Sequence, residues 1–465
     1  MSFPPVMKRS SVVLKYVASI TALSGLLISS VGCDSSSHAI DVFDGSDGRQ
    51  PVKVADAEAY KPTSLPDRII LTWTGDPSRT QAVTWRTSTA VTQGLAEIAV
   101  ATDNSGFART ARQLAAKTTL LESDLSKANY HTVEFNALSP RTKYAYRVGD
   151  GVNWSEWFHF TTASDRADPF TFVYFGDAQN DIKPMWSRVI REAFSDAPKA
   201  NFLLHAGDLI NKPNSDAEWG EWYLAGGWIN AMTPSISTPG NHEYESGGVA
   251  RTLTLSKHWK PQFALPENGP ADLLETAFYL DFQGTRIISL DSNVKIVEQV
   301  QWLENVLASR DASIGWTVVT FHHPVYSSAK NRDNKEVRER WQPIFDKYKV
   351  DLVLQGHDHT YARSKLVNST TGVAAKGESG TIYVVSVSGP KMYDIGKPPR
   401  PEFQRVAEDT QLFQIITIDG DELRYQARTA TGQPYDGFTL KKRAGQPNEL
   451  IEQVPETPAR LRGEK

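Results

Sequence analysis

Five short stretches carry side chains that bind cations through oxygen and nitrogen. They are "GDAQ" (176–179) with Asp177 and Gln179, "GDLIN" (207–211) with Asp208, "GNHE" (240–243) with Asn241 and His242, "VTFHHP" (319–324) with His322 and His323, and "GHDH" (356–359) with His357 and His359. Carboxylate, amide and imidazole donors without sulfur suit Mn²⁺, Zn²⁺ or Fe²⁺. Each stretch alone has a plainer reading. A Gly-Asp pair starts turns, "GNHE" offers a turn followed by a helix cap, "HHP" fits a core histidine at a strand end, and "GHDH" fits a polar hairpin. Found in this order along one α/β segment, they point instead to a metal site.

The surrounding sequence supplies elements that can gather these side chains. Strand-like apolar runs (170–175, 202–206, 286–291, 316–321, 351–355, 381–387, 412–418) alternate with helix-like segments such as "KPMWSRVIREAFSD", "SDAEWGEWYLAGGWINAM", "EQVQWLENVLASR" and "KEVRERWQPIFDKYK". That alternation predicts an α/β domain over 168–442. Four of the five stretches directly follow a strand-like run, and "GNHE" follows the shorter "SIST" and a proline. Their side chains are thus expected along one edge of a sheet, where open α/β folds place their sites. The Trp-rich 218–230 segment either walls the cleft or forms helix core. His131, His159, His205 and His258 read as structural.

Residues 62–164 read differently. "RIILTWTG", "QAVTWRTS", "LAEIAVAT", "YHTVEFNAL", "KYAYRVGDG" and "SEWFHFTT" are short strand-like runs between Gly, Pro, Asp and Ser turns, which predicts an all-β sandwich. Within it, "LSPRTKYAYRV" (138–148) resembles the fibronectin type III signature, with Tyr144 at the tyrosine-corner position.

Taken together, the five ordered motifs and the preceding sandwich resemble the calcineurin-like metallophosphoesterases, in their purple acid phosphatase branch. The ending "GHDHTYARS" (356–364) matches that branch's extended motif, and the resemblance covers about 62–441. It implies a four-layer α-β-β-α catalytic domain holding two divalent metal ions (Fe, Mn or Zn) about 3–4 Å apart. One ion would take Asp177, Asp208 and His359, and the second Asp208, Asn241, His322 and His357. His242 would contact substrate phosphate and protonate the leaving group; its plainer role is a hydrogen bond supporting its neighbours. The resemblance further implies hydrolysis of phosphate monoesters by a metal-bound hydroxide. The same motifs serve phosphodiesterases and nucleotide pyrophosphatases, and a catalytically weak surface binding protein is the rival from another class. Against that rival stands the complete ligand set.

The chain departs from the family in three places. Asn211 stands where the purple enzymes carry a tyrosine that binds Fe³⁺. Gln179 stands where most other relatives have histidine, and its amide oxygen is expected to serve as a neutral donor to the first metal. After "HHPVYSS", "AKNRDN" offers Lys330 and Arg332, which either pair with substrate charge or stand in a solvated loop; Arg332 is taken as a substrate-binding residue.

With 465 residues, 40% hydrophobic and 22% charged, the chain has room for at least two domains, and its net charge of −4 argues against a nucleic-acid partner. The expected partner is a small phosphorylated substrate. Lys8, Arg9 and Lys15 precede an apolar run that ends in "SSVGC" at Cys33, the chain's single cysteine. This resembles a bacterial lipoprotein signal over 1–33, with Met7 an alternative start and Cys33 the lipidated residue. An extracytoplasmic, lipid-anchored protein is expected, touching a membrane only through that lipid. Residues 34–61 are then expected to be a flexible tether, and 443–465 a disordered tail.

Overall fold

A computed structural model describes residues 52–247 and 252–462. The signal-like segment, Cys33 and the first part of the tether lie outside the described residues. No described helix is long and apolar enough to cross a membrane.

Residues 67–161 form a sandwich of two four-stranded antiparallel sheets. Leu71, Val83, Trp85 and Phe135 of one sheet meet Ile98, Tyr146, Val148 and Phe160 of the other in a single buried cluster. The Tyr144 hydroxyl accepts a hydrogen bond from the Ser139 backbone N–H at 2.9 Å, which fixes the corner leading into its strand. The Gln81–Ser88 strand is buried on both faces rather than one, because its second face packs on the α/β domain. There Arg86 and Arg68 converge on Asp216, at 3.3 and 2.7 Å. A register shift after Asp67 and a positive φ of 50° at Arg68 aim that guanidinium across the boundary. All three side chains are at most 3% exposed, so removing the carboxylate strands the Arg68 cation, while Arg86 keeps Asp67 at 2.6 Å. Asp216→Ala should cost about 3–5 kcal/mol of stability, read from the denaturant midpoint. An unchanged midpoint would show that Arg68 finds another partner.

The α/β domain holds two seven-stranded sheets. The first runs, edge to edge, through strands 235–237, 202–205, 170–175, 412–419, 422–429, 434–443 and 446–452; the second through 278–282, 285–289, 316–320, 352–355, 382–385, 361–364 and 403–407. Strands 170–175, 202–205 and 235–237 are parallel in the first sheet, as are 285–289, 316–320, 352–355 and 382–385 in the second. Parallel strands buried on both faces need continuous apolar runs, as "FTFVYF", "WTVVT" and "IYVV" supply. Phe172, Leu204 and Ile416 share one core cluster with Ile287, Val318, Leu354 and Val384 of the other sheet. On the second sheet's far side, Ile288, Val319, Val353 and Tyr383 pack under the helices Gln299–Ala308 and Lys335–Tyr348. Helices Ser187–Asp196 and Asp216–Gly226 belong to the first sheet's side, which completes the four α-β-β-α layers.

Several expectations need correction. Of the two readings of the Trp-rich segment, helix core holds for Trp219 and Trp222, which are fully buried, while Trp228 is exposed beyond Gly227, whose φ of 51° breaks the helix into two. The tail expected to be disordered is structured over its described residues, 443–462. Gln446–Glu452 pairs antiparallel with Pro434–Arg443, and beyond it Arg405 donates to the Thr457 carbonyl at 2.8 Å and the Arg460 N–H to the Tyr435 hydroxyl at 3.1 Å. Its polar composition suits an edge strand, which needs only one apolar face and tolerates Pro447. The tether ends before residue 61. Asp56–Ala59 is a helical turn, and the Tyr60 ring lies where a Cβ on Gly220 would come within 2.4 Å of it.

Candidate metal centre

Every proposed ligand sits in a loop at the carboxyl end of a strand. Asp177 follows 170–175, Asp208 follows 202–205, Asn241 follows 235–237, His322 follows 316–320, and His357 and His359 follow 352–355. Three of these strands belong to the first sheet and two to the second, so the loops meet where the sheets adjoin. Asp177, Asp208, His357 and His359 have φ of 38°, 52°, 75° and 49°. This left-handed backbone costs a side-chain-bearing residue roughly 1–3 kcal/mol and persists only where surroundings enforce it. Here the Gly389 N–H donates to the Asp177 carbonyl at 2.6 Å, the Gln179 N–H to that of Asp208 at 3.0 Å, and the Tyr393 N–H to that of His359 at 3.1 Å. Gly240 permits the closest approach, since a Cβ there would lie 2.2 Å from Asp208 Oδ1.

The side chains form two overlapping groups. Asp208, His322 and His357 bring ligand atoms within 4.8 Å of one another, as do Asp177, Asp208 and His359; Asp208 belongs to both. Asn241 Oδ1 joins the first group, 3.1 Å from His322 Nε2 and 2.9 Å from His357 Nδ1. The far nitrogens of two histidines are fixed by carbonyls: His322 Nδ1 pairs with Ala206 O at 2.9 Å and His359 Nδ1 with Lys391 O at 3.1 Å. With those nitrogens donating, each Nε2 keeps its lone pair for the cluster.

The donor set fits cations. Asp177 Oδ1 and Gln179 Oε1 are buried without a hydrogen-bond partner. Burial, with the Asp208 charge adding to it, pushes the Asp177 carboxyl well above the usual range. Two adjacent buried carboxylates stay ionised together only against compensating positive charge. Burial also depresses His357, and takes His359 down to about 3, leaving both neutral as ligation requires.

Gln179 lies inside the cluster. Its Nε2 is 2.8 Å from Asp208 Oδ2 and 3.0 Å from His359 Nε2, while Oε1 has no hydrogen-bond partner. A half-turn of the amide exchanges two nearly isosteric atoms and presents the oxygen. The Asn211 side chain makes no hydrogen bond among the described residues, and its carbonyl instead accepts from His242 Nδ1 at 2.6 Å. With amides at 179 and 211 and no phenolate, the loaded protein should be colourless and active with divalent ions alone. Gln179→Ala should weaken one metal of the pair selectively, whereas Gln179→His should hold it. Metal titration reads this, and unchanged affinity in the alanine variant would remove Gln179 from the ligand set.

His242 is bound on two sides. Its backbone N–H donates to Asp208 Oδ1 at 2.9 Å, and the Asn211 carbonyl takes Nδ1. That leaves Nε2 for a cleft lined by Asn211, Lys212, Asn214, Asn241 and Glu245. Arg332, expected to bind substrate, also has protein partners, including Asp358 Oδ1 at 3.7 Å. Its Nη1 donates to the His357 carbonyl at 2.7 Å and its guanidinium stacks over Tyr393 at 4.7 Å, so it first holds the His357 loop. His131, His205 and His258 are buried in the folds of their own segments, away from the cluster.

Three acidic residues supporting the site escaped the sequence reading. Glu243 accepts the Asp208, Leu209 and Gly240 N–H groups at 2.8, 2.8 and 2.6 Å, tying two ligand loops together. Glu218 accepts the Asn211 and Lys212 N–H groups at 2.6 and 2.8 Å, which sets the carbonyl that holds His242. Asp358 accepts the Ser328 and Ala329 N–H groups at 2.6 and 3.1 Å. Only Glu243 and Asp358 carried a signal, their place inside "GNHE" and "GHDH".

Comparison with known proteins agrees with this geometry. Residues 66–162 match the family described as Purple acid Phosphatase, N-terminal domain, and 170–361 match Calcineurin-like phosphoesterase. An uncharacterised protein of Mycobacterium tuberculosis is 28% identical over 342 residues, covering 63% of this chain and 61% of that protein. A purple acid phosphatase of Glycine max is 27% identical over 301 residues, covering 60% and 64%. The chain thus spans less than two thirds of these relatives. The solved purple acid phosphatase PPD1 from yellow lupin (Lupinus luteus) seeds shares the fold, with a TM-score of 0.71 at 20% identity over 81% of this chain and 74% of that one.

Proposed function

The chain belongs to the calcineurin-like metallophosphoesterases, in their purple acid phosphatase-like branch, and on that footing we propose that it hydrolyses phosphate monoesters at this centre. The observation that carries the reading is Asp208, one buried carboxylate common to two donor groups, with His242 anchored beside it. Two divalent ions held by Asp177, Asp208, Asn241, His322, His357 and His359, with Gln179, would supply a clamp on the phosphate oxygens and acidify water. The chain's own part is positional and acid–base. The Asn211 carbonyl holds His242 Nδ1, so Nε2 can carry the proton that a departing alkoxide requires. Cleavage of diester or pyrophosphate bonds at the same site is the second reading, favoured by the open cleft, about 630 Å³, beside His242. Screening the metal-loaded chain against monoesters, diesters and nucleotides tests both. Monoester turnover is expected, and a protein inert towards all three classes would leave the binding-protein reading.

The proposed location is extracytoplasmic and lipid-anchored. Support comes from the basic residues, the apolar run and Cys33 in the sequence. Cys33→Ser should move the protein out of the membrane fraction or leave an unprocessed precursor. A processed variant that still sediments with membranes would contradict the anchor.

A further inference from the structure

Two loops flank the His359 side of the centre, and an antiparallel bridge between Ala329 and Ile395 joins them. The Lys330 N–H donates to the Asp394 carbonyl at 2.8 Å and the Gly396 N–H to the Ser328 carbonyl at 3.0 Å. A shallow cleft opens there, lined by Lys330, Asn331, Arg332, Tyr393 and Asp394. We propose that Lys330 in this cleft, with Arg332 and Lys391 over the Tyr393 ring, forms a subsite for a second phosphate of the substrate, so that the centre favours compounds with two linked phosphoryl groups over simple monoesters. This rests on the phosphoesterase reading and specifies its substrate class.

Position is the first support. The Tyr393 ring meets the His359 imidazole edge-on at 4.8 Å, with the Arg332 guanidinium 4.7 Å and the Lys391 ammonium 5.5 Å from its centre. The Lys391 carbonyl holds His359 Nδ1 and Arg332 holds the His357 carbonyl, so the cationic rim is attached directly to two ligand residues.

Charge is the second. In a chain of net charge −4, Lys330 and Lys391 make no ion pair among the described residues, and Nη1 is the only hydrogen-bonding nitrogen of Arg332. Of the nearby carboxylates, Asp358 accepts backbone N–H groups and lies 3.7 Å from Arg332 Nη1, and Asp394 pairs with Arg462. Loops presenting two lysines without an ion pair, beside a phosphate clamp, suit a second phosphate, which forms charge-assisted hydrogen bonds. On the opposite side, the His242 cleft mixes Lys212 with Asp124 and Glu245 and offers no such surplus.

Calorimetry on the metal-loaded chain, with inorganic pyrophosphate and orthophosphate as probes, tests the subsite independently of turnover. The wild type should bind pyrophosphate at least tenfold more tightly. The Lys330→Ala/Lys391→Ala variant should lower that ratio roughly tenfold, and the corresponding double Arg variant should restore it. In parallel, kcat/KM for pyrophosphate relative to 4-nitrophenyl phosphate should fall by a similar factor. An unchanged ratio, or equal weakening of both anions, would overturn the subsite. A lowered binding ratio in a chain that hydrolyses nothing would keep the subsite and discard the phosphoesterase reading.

Discussion

Asp208→Ala should have no measurable turnover and should lose both metals. Asp208 is the only carboxylate shared by the two donor groups. Without it, the remaining charged donor in these groups is Asp177; His322, His357, His359 and the amides are neutral when ligating. Two dications a few ångströms apart repel strongly at the low effective dielectric of a buried site, and the shared anion offsets that repulsion. Asp208 also organises its surroundings, accepting from Gln179 at 2.8 Å and from the His242 backbone at 2.9 Å. Asp208→Asn keeps the shape and most of these contacts but removes the charge, so it should lose metal as well. Metal analysis of the purified variants decides the point. Two tightly held ions in an inactive Asp208→Ala protein would contradict the shared-ligand role.

His242→Ala separates chemistry from metal binding. The backbone N–H that braces Asp208 survives the substitution, so both metals should stay. The imidazole is lost, and with it the proton donor oriented by the Asn211 carbonyl at 2.6 Å. Turnover should fall by roughly a hundredfold or more with alkyl leaving groups, and much less with 4-nitrophenolate, which departs without a proton. An equal loss on both substrates would point to a binding role for His242 rather than proton transfer. Glu218 offers a second handle on the same step, because its carboxylate sets the loop that carries that carbonyl.

The parts legible in the sequence share a physical cause. Strands such as Phe170–Phe175 and Trp316–Thr320 are buried on both faces, so they had to be apolar runs, and the ligand motifs follow them directly. Edge strands such as Gln446–Glu452 need only one apolar face, and their composition resembles that of a loop. The division of 215–232 into two helices turns on the backbone of Gly227, which no periodicity reveals. At the centre, the types and order of the candidate donors were readable, because cation chemistry restricts the side chains. The supporting contacts were not. Glu218 and Asp358 act by accepting backbone N–H groups from loops distant in sequence or otherwise unmarked, and Arg332 is drawn to a carbonyl that sequence spacing does not place.

The most direct test of the account is turnover followed during metal titration. The chain is stripped with chelator, then given Mn²⁺, Zn²⁺ or Fe²⁺ in increments while hydrolysis of 4-nitrophenyl phosphate and bound metal are measured together. Negligible activity is expected in the stripped protein, with a rise that levels off at two bound ions per chain. Full activity in the stripped protein, or saturation at a single bound ion, would contradict a centre built around a shared Asp208.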